Sequence, residues 1–145
     1  MLGLIQRVTY AKVDVDGQTI AQIQHGILAL IGIEKSDTQT EANRLLDRIL
    51  TYRIFTDQNS KMNLSLIDIS GELLLVPQFT LVADTQTGTR PGFSIAMEPH
   101  KSSELFSYLT TTAHFKHPKT TKGLFGADMK ITLCNDGPVT FLLSS

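Results

Sequence analysis

Two short segments of this chain combine residue types whose spacing suits chemistry. The first is Cys134-Asn135-Asp136-Gly137-Pro138-Val139-Thr140, a glycine–proline pair between two apolar runs. Glycine tolerates backbone angles closed to other residues, and proline alone makes a cis peptide inexpensive, at roughly 0.5–1 kcal/mol. The pair presents two bare carbonyl oxygens able to receive a cation. An ordinary hairpin turn between strands at 129–134 and 139–143 accounts for the same residues. The second segment is Pro77-Gln78-Phe79-Thr80-Leu81, at the end of an apolar run. At a strand end the N–H groups of Phe79 and Thr80 can stay free of ladder bonds and face a developing oxyanion. Thr80 adds a hydroxyl, but no neighbouring base in the sequence would activate it, and a β-branched residue is equally at home in a strand.

Three more segments stand in order around these two: Ile5-Gln6-Arg7-Val8, Lys61-Met62-Asn63-Leu64-Ser65-Leu66 and Phe125-Gly126-Ala127-Asp128-Met129. With them the chain resembles, over its whole length, the D-aminoacyl-tRNA deacylase family, whose members carry Ser-Gln-Phe-Thr-Leu and Asn-x-Gly-Pro-Val-Thr stretches. The resemblance implies a hydrolase acting on the ester between an amino acid and the 3′-terminal adenosine of tRNA, without cofactor, as a homodimer. Gln78, Phe79 and Thr80 would form the catalytic segment, with the substrate's ribose 2′-hydroxyl helping to position the attacking water. The Gly137-Pro138 bond would be cis and reach into the partner subunit's site. There its carbonyls would hold the α-ammonium while backbone fills the space an L side chain needs, so that D-amino acids and glycine pass. Arg7, otherwise an exposed strand residue, would brace those carbonyls with its fork of donors. Phe125 and Met129, otherwise packing residues, would line an adenosine pocket.

One position departs from the family pattern. Pro77 stands where serine is usual, and proline has no N–H to donate. A related group that acts on mischarged L-alanyl-tRNA has Pro-Gln at this point, so an L-alanyl-tRNA proofreader of the same fold is one alternative. A catalytically silent module that binds a tRNA end or a replication complex is another.

Several chemistries lack a sequence basis. No phosphate-cradling glycine loop, dinucleotide fingerprint or Gly-x-Ser-x-Gly elbow occurs. His25, His100, His114 and His117 lack the neighbouring cysteines and acids of a metal site, so no metal is expected. The single Cys134 cannot form an internal disulfide and is expected to be buried packing in a strand. With no signal-peptide layout and no membrane-length apolar run, the expected location is the cytoplasm and no membrane partner is expected. A net charge of −1 argues against gripping long nucleic acid but leaves room for one RNA end held by a local patch. Lys116, Lys119 and Lys122 form the only dense basic run, and Arg90 stands alone in a polar loop; these are the tRNA-backbone candidates, with a solvated loop as the plainer reading.

The elements that must position these residues follow from hydrophobic periodicity. Residues 2–15 alternate as a strand, Asp16-Gly17 makes a hairpin, and residues 18–23 return. The run 27–33 reads as a central strand covered on both faces. Ser36 or Asp37 is placed to cap a helix carrying Ala42, Leu45, Leu46, Ile49 and Leu50, and Ser102 or Ser103 to open a second with Leu105, Phe106 and Leu109. Residues 57–60 form a turn, 72–81 a strand, and 84–92 a loop. A chain of 145 residues without repeats or linkers fits one domain, 1–145. The expected class is α+β: a largely antiparallel, barrel-like sheet with two helices, homodimeric by resemblance.

Overall fold

The computed structural model describes residues 1–145, and their order is strand-rich. It runs β1 (Leu2–Val15), β2 (Gln18–Ile23), β3 (Gly26–Gly32), α1 (Gln39–Thr51), β4 (Phe55–Thr56), β5 (Met62–Leu64), β6 (Glu72–Pro77), α2 (Pro99–Lys116), β7 (Thr120–Lys122) and β8 (Lys130–Ser144). The main sheet has the order β2-β1-β3-β6-β7, with β8 also paired to β1. β1 pairs antiparallel with β2, β3 and β8, whereas β3–β6 and β6–β7 are parallel. Parallel neighbours need long crossovers, which α1 and α2 supply. β2 comes back against β6 and β7, which curls the sheet into a nearly closed barrel. No helix is long and apolar enough to cross a membrane.

Both faces of the sheet are buried. On one, Ile27, Ala29, Ile31, Leu73 and Leu75 pack with Leu45, Leu46 and Ile49 of α1 and Leu105, Phe106 and Leu109 of α2. On the other, Leu28, Leu74 and Val76 meet Val8, Ala11, Val13, Ala21 and Ile23 inside the curl. Alternation along β3 and β6 divides the two sets, which is why both strands read as continuous apolar runs. Val8 shares a face with Ala11 and Val13 although strict alternation would oppose them. Val8 pairs with Asn135 and Tyr10 with Cys134, so Thr9 is an extra residue that shifts the phase of β1.

Five local expectations need correction. The cap of α1 is Thr38, in a capping box with Glu41; Asp37 is committed elsewhere, its carboxylate accepting the Met1 ammonium at 2.6 Å and the Glu34 N–H at 2.6 Å. Helix α2 begins at Pro99, before Ser102 and Ser103, because proline at the first turn is preset for helical φ and loses no needed donor. β6 ends at Pro77, and Phe79–Val82 turn into a short 3-10 helix. The Gly137-Pro138 segment is no hairpin: Gln6 pairs with Thr140 and Val8 with Asn135, so residues 136–139 bulge from a continuous β8 opposite Arg7. Cys134 is exposed on β8, whose outer edge has no partner strand in the chain.

Candidate active site

The Pro77-Gln78-Phe79-Thr80 segment is built by the abrupt end of β6. The Gln78 N–H extends the parallel ladder to the Ile31 carbonyl at 2.7 Å, and the chain then turns. Alternation points the nitrogen of Pro77 towards β7, but β7 pairs with β6 only as far as Leu75. No ladder acceptor is therefore left waiting for the N–H that Pro77 lacks. The turn lies close over the end of β3: a Cβ on Gly32 would sit 2.9 Å from Leu81 Cβ and 3.0 Å from Val82 Cγ1. In the 3-10 turn, Leu81 N–H donates to the Gln78 carbonyl and Ala83 N–H to that of Thr80. The N–H groups of Phe79 and Thr80, first in the turn, donate to no protein acceptor. The Gln78 side-chain amide donates to the Thr80 hydroxyl, and no basic side chain reaches that hydroxyl.

This segment rims a cavity of about 660 Å³. Its lining includes Pro77, Gln78 and Phe79 from the end of β6, Phe93 and Met97 before α2, Ser102 on α2, and Phe125, Met129 and Ile131. Phe79 is 62% exposed and meets Phe93 with ring centroids 5.0 Å apart. Phe125 is fixed from behind by Phe106, centroids 6.2 Å apart. Gly123 leaves room for Met129, whose Sδ would lie 2.9 Å from any Cβ at that position. The cavity is concave, mostly apolar and of the size small-molecule sites commonly have. Phe93 and Met97 were not singled out in the sequence; an aromatic and a thioether just past a polar loop were the available signal.

The second group forms around the β8 bulge. Arg7 Nε donates to the Asp136 carbonyl at 3.0 Å and lies 3.1 Å from its carboxylate, while Nη1 donates to the Ile54 carbonyl at 2.7 Å. The expected brace on the Gly137-Pro138 carbonyls is thus made one residue earlier. Asn135 and Thr140, which the sequence alone does not mark as site residues, close the bulge. Asn135 Oδ1 accepts the Val139 N–H at 2.9 Å and its Nδ2 donates to Thr140 Oγ1 at 2.8 Å. The Asn-x-x-x-Val-Thr spacing was their signal, since asparagine readily bonds nearby backbone. Gly137 has φ +132, and a Cβ there would stand 2.7 Å from Val139 Cγ2 and 3.0 Å from Arg7 Nη2. The Gly137-Pro138 peptide is cis.

These two groups do not meet within one chain. Arg7 pairs with Ile27 and Pro77 with Ile31, four residues apart on β3, or about 13 Å along the strand. Ile131 of β8 lines the cavity, and Gly137 lies six residues further on, about 20 Å along an extended strand. The basic candidates diverge too. Lys116 pairs with Asp47 at 2.6 Å, Lys119 donates to the Ser70 carbonyl at 2.9 Å, Lys122 lies on β7, and Arg90 is exposed in the 84–92 loop.

Comparison with known proteins bears on this geometry. The family model for D-Tyr-tRNA(Tyr) deacylase matches residues 4–144. A D-aminoacyl-tRNA deacylase of Legionella pneumophila (strain Lens) is 56% identical over 143 residues, covering 99% of both chains. One from Stutzerimonas stutzeri is 52% identical over 145 residues, covering 100% of both. Among solved structures, the c-Myc DNA Unwinding Element Binding Protein superposes with a TM-score of 0.95 at 36% identity, over 100% of this chain and 99% of that one. A probable eukaryotic D-amino acid tRNA deacylase gives 0.87 at 14% identity, over 99% and 98%, a likeness of fold alone. The Gln78–Thr80 turn, its cavity and the β8 bulge therefore sit in a chain that belongs to the D-Tyr-tRNA(Tyr) deacylase family.

Proposed function

We propose that this protein is a hydrolase that cleaves the ester of D-aminoacyl-tRNA, and of glycyl-tRNA, in the cytoplasm. The observation that carries the reading is the pair of unclaimed N–H groups of Phe79 and Thr80 at the mouth of an apolar cavity. The 3′-terminal adenine occupies the cavity between Phe125 and Met129, against apolar and thioether surface. The ester carbonyl then lies over the turn. Water adds to that carbon, the oxygen's growing negative charge is met by the two main-chain donors, and collapse expels the 3′-oxygen of the ribose, which takes up the proton. The ribose 2′-hydroxyl positions the water. Gln78 holds the Thr80 hydroxyl as an acceptor, which suits an orienting role better than a nucleophilic one.

Chiral selection falls to Gly137-Pro138 of a second copy. In one chain this bulge lies far from the cavity, so it acts there only if a partner presents it. The unpaired outer edge of β8, with exposed Leu142 and Cys134, supports a homodimer, since a long open edge is otherwise a pairing hazard. The substrate ammonium meets carbonyl oxygens, and main chain fills the side an L side chain would occupy. Purified protein offered matched D- and L-aminoacyl-tRNA pairs and glycyl-tRNA should release D-amino acids and glycine only. Preferential release of L-alanine would support an L-alanyl-tRNA proofreader, the alternative that Pro77-Gln78 suggests, and binding of tRNA without turnover would leave a silent module.

A further inference from the structure

A second cleft runs between the C-terminal half of α2 and β7, and no step of the ester chemistry uses it. It has a volume of about 370 Å³ and is lined by Thr110, Thr111, His114, Thr120, Thr121 and Lys122, with no acidic residue among them. Most of the other lysines near carboxylates are already paired: Lys12 with Asp14, Lys101 with Glu98, Lys116 with Asp47 and Lys130 with Asp128. Lys122 and His114 have no such partner. Thr121 Oγ1 is the one buried side-chain polar atom in the protein without a hydrogen-bond partner. A buried hydroxyl is ordinarily satisfied, so an orphan beside a lysine calls for an explanation. Rotation about χ1 moves a threonine hydroxyl between staggered positions, and Thr121 is among the residues that line the cleft.

The surroundings specify the anion. Phe115, one turn beyond Thr111 on α2, is 88% exposed, a platform for a flat apolar group. The cleft and the Phe125–Met129 cavity are separate but lie along the same two elements. Ser102 of α2 lines the cavity and Thr110 the cleft, eight residues or about 12 Å apart along the helix. On the other wall, β7 leads from Lys122 through Gly123 directly to Phe125. At about 3.4 Å per stacked nucleotide, such a span covers three or four nucleotides of one strand.

We propose that this α2–β7 cleft binds a backbone phosphate of the RNA strand whose 3′ end enters the Phe125–Met129 cavity, with Phe115 stacking on a neighbouring unpaired base. The proposal rests on the deacylase reading for which end of the strand lies where. Lys122 and His114 supply charge, Thr111 and Thr121 supply hydroxyl donors, and Phe115 supplies the ring. A basic groove beside an exposed aromatic is how single strands are held without sequence preference.

The test measures binding first and cleavage second. An uncharged RNA hairpin with an unpaired 3′ tail is titrated against the parent, Lys122→Ala, Thr121→Val and Phe115→Ala at several salt concentrations. Lys122→Ala is expected to weaken binding roughly tenfold and to lower the slope of log affinity against log salt by about one. Phe115→Ala should weaken binding several-fold with the slope unchanged, because stacking releases no counterion. For cleavage, the ratio of kcat/KM on a D-aminoacyl hairpin to that on a phosphate-free D-aminoacyl-adenosine should fall about tenfold in Lys122→Ala, through KM. Parent-like affinity and salt slope in Lys122→Ala and Thr121→Val would overturn the phosphate site. Failure of the deacylase reading shows differently, as a parent that binds the hairpin but cleaves neither ester.

Discussion

The Arg7 guanidinium holds Asp136 twice, through its carbonyl at 3.0 Å and its carboxylate at 3.1 Å, and so fixes the residue that leads into Gly137. Its third contact, to the Ile54 carbonyl at 2.7 Å, ties the β8 bulge to the segment after α1. One mostly buried cation therefore sets the height and tilt of the whole excursion. Arg7→Ala leaves two backbone carbonyls without their donor, and hydrogen bonds to charged groups contribute about 1.5–3 kcal/mol each. Water at the exposed Asp136 side of the bulge replaces part of that, so a stability loss of about 2–4 kcal/mol in urea unfolding is expected. Discrimination between D- and L-aminoacyl-tRNA should also relax at temperatures where the variant remains folded. Unchanged unfolding would show that the bulge holds its shape without Arg7.

Thr80→Ala separates main-chain from side-chain catalysis. The substitution keeps the Thr80 N–H and deletes only the hydroxyl that Gln78 holds. Activity within roughly tenfold of the parent is expected, whereas loss of a covalent nucleophile costs several orders of magnitude. Single-turnover kinetics with a folded variant decides between them.

Gly137→Ala places a methyl in occupied space at φ +132, against Val139 and Arg7. An L residue is strained at that angle, at about 1–3 kcal/mol. Activity should fall for every substrate, glycyl-tRNA included, while sedimentation reports the same oligomeric state as the parent. A variant that lost activity only with bulky D-amino acids would place Gly137 in a side-chain pocket and overturn the proposed filter.

The α1 cap gives a pH-dependent stability test. The Thr38 hydroxyl and then its backbone N–H donate to Glu41 and hold that carboxyl below the usual range. A depressed folded-state pKa means the contribution is present above the unfolded value and disappears as pH falls through the folded one. Thr38→Ala should cost about 1 kcal/mol near neutrality. The gap in melting temperature between the parent and Glu41→Gln should close as the medium is acidified, and a gap constant with pH would rule out the ionised capping box.

Much of this was legible in the sequence for identifiable reasons. Strand β3 announced its central place because Ile27, Leu28, Ala29 and Ile31 are all buried, which only a two-sided strand demands. The α1 stripe of Ala42, Leu45, Leu46, Ile49 and Leu50 matched the buried face residue for residue. Gln78, Phe79, Phe125 and Met129, drawn from two separate segments of the sequence, line one cavity. What escaped depended on long-range partners. Asp37 looked free to cap until a distant ammonium claimed it. Gly137-Pro138 looked like a hairpin because both flanks are strands, and only the register against β1 reveals a bulge. Cys134 looked buried because its neighbours are apolar, yet it lies on an edge strand that its own chain leaves uncovered. The lysine run looked like a patch, but pairing with Asp47 and Ser70 disperses it.

The polar loop at 84–92 is closed at its neck, where Asp84 and Gly92 exchange both backbone hydrogen bonds at 2.7 and 2.9 Å. What hangs beyond such a knot is mechanically insulated from Phe79 on one side and Phe93 on the other. Gly88, at the tip, has open space around it. A dye or a short peptide handle attached at exposed Thr87, beside the tip where the φ of +72 at Gly88 disfavours a side chain, would ride outside the knot, giving an immobilised or fluorescent form of the protein in which the Phe79–Phe93 rim keeps its native spacing.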